Sequence, residues 1–296
     1  MSEDAVAPVI AVMLILACGV TFFAAWNAYY VPSMKAQSEI THLKDVESGF
    51  LRFSSDIETA ASLKKNMKLS EPIPLGGGEF TFDAVKSGGT LRILGEKEGY
   101  MRLIVINGTS TEPTSNILRF SNYSFQPVNN FWQDQGYTWS YGNVNVTKGT
   151  LSTPLQYARM DDVSYGMTRA LFDLDFVSSP EDPAACSLMN VYVVNLTPAF
   201  AQTFASGNGN GIFVLESSVT SQQFTNATNM TVRINPDIPI GFRESLNNSV
   251  NLRIDESRIC KNIHANVSDL TIYLKFDPIP NMTLNRRITE ISLGAY

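Results

Sequence analysis

Cysteine and histidine are scarce in this sequence, with 3 and 2 copies among 296 residues. His42 and His264 lie far apart, and His42 falls on a stalk segment far in sequence from any candidate nucleophile. No Cys-X-X-Cys pair, His-Glu-X-X-His zinc helix, Gly-X-Ser-X-Gly elbow or phosphate loop occurs anywhere. The sequence therefore reads as a non-enzyme with no cofactor. Basic runs are absent as well, and the net charge is −6 with a pI near 5.0. Nucleic acid, whose phosphates demand clustered Lys and Arg, is excluded as a partner. Charged residues are few at 17%, while 44% are hydrophobic, which describes a chain with a core and not a disordered one.

Charge is missing altogether from Ala5 to Met34. Val9, Ile10, Leu14, Ile15, Leu16, Val20, Phe22 and Phe23 fill a stretch longer than the roughly 20 apolar residues that span a bilayer. Trp26, Tyr29 and Tyr30 follow where an aromatic belt meets headgroups. Pro32 is placed to kink or end the helix. A cleaved secretory signal carries a basic n-region and a short apolar core; here Glu3 and Asp4 stand at the start and the run is too long. Ile15-Leu16-Ala17-Cys18 hints at a lipoprotein signal, but the apolar run continues past Cys18. A retained membrane helix over residues 5–32 is the expectation. Lys35 and Lys44 follow the helix, which by the positive-inside rule alone would place the rest of the chain inside. Glu39, Asp45 and Glu47 interleave with them, and the features below outweigh that bias.

Residues 33–68 read as an amphipathic stalk helix. Leu43, Phe50 and Ile57 recur at seven, with Val46 and Phe53 beside them, forming an apolar stripe. Two partners could bury it: the chain's own β domain, or the same helix in neighbouring copies, which would make Leu43, Val46, Phe50, Phe53 and Ile57 an assembly stripe.

Beyond Leu69 short β-like runs alternate with turn residues. Thr90–Leu94 and Tyr100–Asn107 flank Gly95–Gly99 as a candidate hairpin. Further strands are expected at Ile117–Phe125, Tyr137–Val146, Leu171–Phe176, Leu188–Asn195, Gly211–Glu216, Thr231–Ile234, Ser249–Ile254, Leu270–Phe276 and Ile288–Leu293. Ala199–Ser206 reads as a helix or turn. The fold class is α+β, a long N-terminal helix followed by a mostly antiparallel, sandwich-like domain over 69–296.

Asn-X-Ser/Thr triplets begin at Asn107, Asn122, Asn145, Asn195, Asn226, Asn229, Asn247, Asn266 and Asn281, all beyond the stalk. Chance would give roughly four, so the excess points to an exported, glycosylated surface; an Asn- and Thr-rich β surface without sugar is the alternative. Outside the helix only Cys186 and Cys260 occur, a pair suited to one disulfide in an oxidising compartment, or else two buried thiols. Asp161, Asp162, Asp173, Asp175, Glu181 and Asp182 form an acidic region whose spacing fits no Ca²⁺ loop, so loop charges are preferred to a metal site. Trp132 and Trp139 sit in an aromatic segment that could stack on a ligand, although alternation on a strand more often packs a core.

Glu3-Asp4-Ala5-Val6-Ala7-Pro8-Val9-Ile10 resembles the start of archaeal type IV pilins and pilin-like exported proteins, with Ala7 in place of the usual Ser. The resemblance is specific over those residues and weak beyond them. It implies a short leader, residues 1–4, removed by a peptidase, and a hydrophobic helix that anchors the subunit or packs in a filament core. It further implies a single-pass protein of the cell membrane with its C-terminal domain outside. The expected partners are membrane lipid and other pilin-like subunits or a second copy of the chain; any small-molecule ligand is left open. A membrane-tethered binding module, adhesin-like and recognising glycans or envelope components through Trp132–Tyr141, is the alternative.

Overall fold

The computed structural model describes residues 6–77, 87–107, 114–130, 134–155, 160–256, 260–278 and 281–296. It opens with one unbroken helical rod. Helix α1 (Val6–Ala25) passes through a π-helical turn at Trp26–Tyr30 into α2 (Val31–Leu63). Pro32 at the start of α2 explains the π turn: proline has no N–H to donate and crowds the preceding turn, so one wide turn absorbs the mismatch. The rod neither stops nor breaks at Pro32. Lys64 ends it in the left-handed conformation, φ 52°, donating its N–H to the Ala60 carbonyl at 3.2 Å.

The strands are β1 (Met67–Pro74), β2 (Gly88–Gly95), β3 (Met101–Asn107), β4 (Thr114–Leu118), β5 (Ser121–Val128), β6 (Gly136–Ser140), β7 (Asn143–Lys148) and β8 (Leu151–Pro154). Helix α3 (Met160–Leu171) leads to β9 (Phe172–Ser178), β10 (Cys186–Gly207), β11 (Asn210–Phe224) and β12 (Ala227–Ile234). Helix α4 (Ile240–Glu256) precedes β13 (Ile263–Val267), β14 (Thr271–Phe276) and β15 (Thr283–Ala295).

Two sheets result. A 10-stranded sheet runs β1-β11-β15-β10-β2-β5-β6-β7-β8, with β9 also paired to β10. A 5-stranded sheet runs β13-β14-β12-β3-β4. The β10–β15 ladder is parallel, while the others described are antiparallel. The long strand β10 changes partner along its length, from β9 over Cys186–Val193 to β2 over Phe204–Gly207.

The stripe of α2 fills the large sheet. Leu43, Val46, Phe50, Phe53 and Ile57 are all buried, Phe50 and Phe53 at 0% exposure, against Tyr123, Tyr137 and Phe213. Tyr137 and Tyr123 each donate to a carbonyl of α2, at Leu43 and Phe50, both at 3.1 Å. Gly49 lets β1 approach, since a Cβ there would lie 2.5 Å from Ile73 Cδ1. The α2 segment is therefore the core of the β domain and not a free-standing stalk.

Several local expectations are corrected. Gly95–Gly99 is no hairpin: β2 pairs with β10 and β5, whereas β3 pairs with β12 and β4, so this segment crosses between sheets. The run Ile117–Phe125 divides into β4 and β5 for the same reason. Ala199–Ser206 is strand, with a bulge between Pro198 and Thr203 that leaves Phe200 98% exposed. Ser249–Ile254 belongs to α4, where buried Phe242, Leu246 and Val250 recur every fourth residue and override the local alternation.

Candidate functional site

The first half of the rod stands apart from the domain. Its apolar side chains, Val9 to Phe23, are exposed, and among the described residues this is the one helix long and apolar enough to cross a membrane. The rings of Trp26 and Tyr30 lie 4.2 Å apart, tilted by 37°, in the π turn that joins α1 to α2. Cys18 is a free, exposed thiol in this half.

Burial removes the assembly stripe from the candidate sites. Leu43, Val46, Phe50, Phe53 and Ile57 already have a partner in the chain's own sheet, so no face of α2 built from them remains for a neighbouring helix. Of the two partners left open by the sequence, the intramolecular one is observed.

The aromatic segment behaves likewise. Trp139 is 1% exposed, donates from Nε1 to Ser54 Oγ at 2.8 Å, and stacks on Tyr123 at 5.0 Å and Phe120 at 5.3 Å. A ligand cannot reach a ring enclosed on both faces, so Trp139 is a core residue and not a stacking platform. Trp132 lies outside the described residues. The polar tips in this cluster are matched too. Tyr141 donates to Glu96, whose carboxyl burial pushes above its ordinary value. Tyr100 donates to the Val194 carbonyl at 2.7 Å.

Cys186 and Cys260 form a disulfide, with Cα atoms 5.0 Å apart. Asn262 reinforces the junction: its side chain accepts from the Cys186 N–H at 2.9 Å and donates to the Cys186 carbonyl at 2.8 Å. The bridge ties the start of β10, in the large sheet, to the segment entering β13, in the small one.

The acidic region is split by its surroundings. Asp173 is held by Arg253 at 3.0 Å and Lys64 at 3.7 Å, Asp175 accepts from Asn190 at 3.1 Å, and Asp182 accepts from the Ala184 N–H at 2.9 Å. Among the described residues no group of three or more His, Cys, Asp or Glu gathers where a metal could sit. The side chains of Asp161 and Asp162 lie outside the described residues. The histidines are likewise occupied: His42 is buried and donates from Nε2 to the Pro74 carbonyl at 2.8 Å, and His264 pairs with Asp277 at 3.1 Å.

The nine triplet asparagines fall into different environments. Asn226, Asn266 and Asn281 are exposed. Asn107, Asn122, Asn145, Asn195, Asn229 and Asn247 are half-buried. Asn195 is fully engaged, accepting from the Arg119 N–H at 2.7 Å and donating to Glu290 at 2.6 Å.

Among the depressions of the described residues, one lies along α1 at Leu16, Gly19, Val20 and Phe23, and two border the small sheet. One of these two, of about 240 Å³, is lined by Glu98, Gly99, Arg102, Arg233, Asn235 and Pro236. The other, of about 370 Å³, includes Asn226, Asn229, Tyr273, Lys275, Asp277 and Asn281. Sequence reasoning missed the outer face of the small sheet because its residues come from strands scattered through the chain. A strand-by-strand tally of acidic residues was the available signal.

The chain matches no protein-family model, no curated protein and no solved structure.

Proposed function

We propose that the chain is a pilin-like, membrane-anchored cell-surface protein, a structural or minor subunit of a type IV pilus-like assembly, with its β domain displayed outside. The observation that carries this reading is the continuous rod. Among the described residues its apolar first half has no partner, while its second half is the spine of the β domain. Such a rod fixes the domain to the anchor without a flexible joint. The N-terminal resemblance to archaeal pilins supports the same reading. A disulfide, rare in reducing compartments, supports export. Because the α2 stripe is consumed internally, contacts between subunits fall to α1. Cys18 offers a direct test, since it is the exposed thiol on that helix. Mild oxidation of native membranes should give Cys18-linked dimers that disappear in Cys18→Ser. Monomer alone, at a level of oxidation that links a known helix pair, would reject assembly through α1. Protease added to intact cells should remove the β domain; full protection would reject its display.

A tethered binding module is the second reading. It is favoured by one specific feature, the composition of the small sheet's outer face.

A further inference from the structure

Strands β3, β4, β12, β13 and β14 carry Arg102, Arg233, Lys275 and His264 and no Asp or Glu, in a chain with 28 acidic residues. Alternation assigns the faces. Leu103, Val105, Met230, Val232, Ile272 and Leu274 are buried inward. Arg102, Arg233 and Lys275 point the other way and are exposed. Arg102 and Arg233 are directly opposite across the β3–β12 ladder. Like charges so placed repel unless something anionic lies between them. No ion pair or hydrogen bond engages either guanidinium among the described residues. Each depression also has one carboxylate in its lining, Glu98 beside the arginines and Asp277 beside Lys275. Asp269 is paired with Arg243 at 3.0 Å, Asp277 with His264, and Glu98 is an exposed residue at the rim of the smaller depression.

We propose that this face is a binding site for an acidic polysaccharide, with Arg102 and Arg233 gripping one carboxylate and Lys275 a second. A guanidinium fork matches a carboxylate bidentately, and two forks side by side match it better than a diffuse positive surface does. The site is elongated. Arg233 and Asn229 are four residues apart on β12, and Lys275 pairs with Asn229, so the two cationic points are roughly 13 Å apart along the strand direction. Each point opens into its own depression, which suits a polymer with recurring charge and not a single small anion. Between them lie Thr231, Tyr273 and Asn266, hydroxyl and amide groups beside one partly exposed ring, the means by which sugars are held. A nucleic acid fits less well, because the face has one exposed aromatic ring and the chain as a whole carries net negative charge.

The site belongs to the folded domain and stands whether or not the chain assembles through α1. The test uses the purified full chain in detergent micelles, with polygalacturonate oligomers as the probe. Neutral galactan, single-stranded DNA and inorganic phosphate serve as competitors. Binding should be saturable and weakened by salt. It should fall about tenfold or more in Arg102→Gln/Arg233→Gln and by a smaller factor in Lys275→Gln. The double variant should melt no lower than the parent, since its removal relieves repulsion and breaks no pairing. Unchanged affinity in the double variant overturns the proposal. So does equal binding of neutral galactan, or displacement by DNA or inorganic phosphate at the concentration of uronate groups that saturates the site.

Discussion

At Trp139 the difference between a binding residue and a core residue is a matter of enclosure. Replacing it with Ala removes a ring packed on Tyr123 and Phe120 and should cost about 3–5 kcal/mol. Trp139→Phe keeps most of the stacking but loses the bond to Ser54, and should cost about 1–2 kcal/mol. Urea titration of the full chain in micelles distinguishes the two; an Ala variant as stable as the parent would restore Trp139 as a surface platform. The tyrosines around it make a second, pH-dependent case. Tyr100, Tyr123, Tyr137 and Tyr141 are held above the ordinary phenol value, chiefly because burial disfavours the phenolate. The native state therefore keeps protons that the unfolded chain releases near pH 10. The resulting stability is complete below that pH and is lost as pH rises above it. Absorbance at 295 nm should show these four of the 11 tyrosines ionising only as near-ultraviolet dichroism collapses. Their ionisation in a chain that still shows native dichroism would refute the enclosed arrangement.

Elements whose partners are near in sequence, or whose period is unmistakable, were the legible ones. The α2 stripe announced itself through its seven-residue recurrence, because a helix repeats its face over a long window. What that recurrence could not tell was the partner, since a sheet and a second helix ask for the same apolar stripe. At Gly95–Gly99 the opposite holds: turn residues mark where a strand stops but not which distant strand it joins. The Ser249–Ile254 run alternates locally, yet Phe242 and Leu246, just upstream, set the helical period. The outer face of the small sheet was invisible because its cations come from β3, β12 and β14, which only the topology brings together. The position of α2 yields a prediction at this scale. Phe50→Asp gives up a buried ring, worth about 3–5 kcal/mol, and places a carboxylate in apolar surroundings. Against a typical domain stability of about 5–15 kcal/mol, that variant should be unfolded or nearly so. Phe200→Ser, on the exposed bulge, should change stability by less than about 0.5 kcal/mol. Far-ultraviolet dichroism through a thermal ramp reads both. A stable Phe50→Asp chain that has lost only its self-association would return the stripe to assembly.

For the molecule as a whole, the rod sets a direction. Helix α2 leads away from apolar α1, β1 returns beside it to meet His42 at Pro74, and β11 begins at that near end and runs outward to Phe224. Seven residues of β11 extend past the pairing of Ser217 with Met67, about 23 Å beyond the end of α2, so the turn at Asn226 stands far from the apolar half of the rod. Asn226, in a left-handed turn at φ 56°, and Asn281 are exposed on the border of the larger depression, and Asn266 is exposed on β13. A sugar needs a free amide nitrogen with a path to solvent. Asn226 and Asn281 have one, whereas at Asn195 the nitrogen already donates to Glu290, and at Asn122 it donates to the Glu96 carboxylate. Glycopeptide mass spectrometry of the native protein should find glycans at Asn226 and Asn281 and none at Asn195 or Asn122. Full occupancy at Asn195 in folded protein would contradict this structure around β10. Glycans at Asn226 and Asn281 would also flank Lys275. Asn226→Gln and Asn281→Gln should then leave polygalacturonate affinity equal or higher, because removing neighbouring sugar opens the groove without touching a cation. A loss of affinity in those variants would mean that the attached sugar is part of the binding surface.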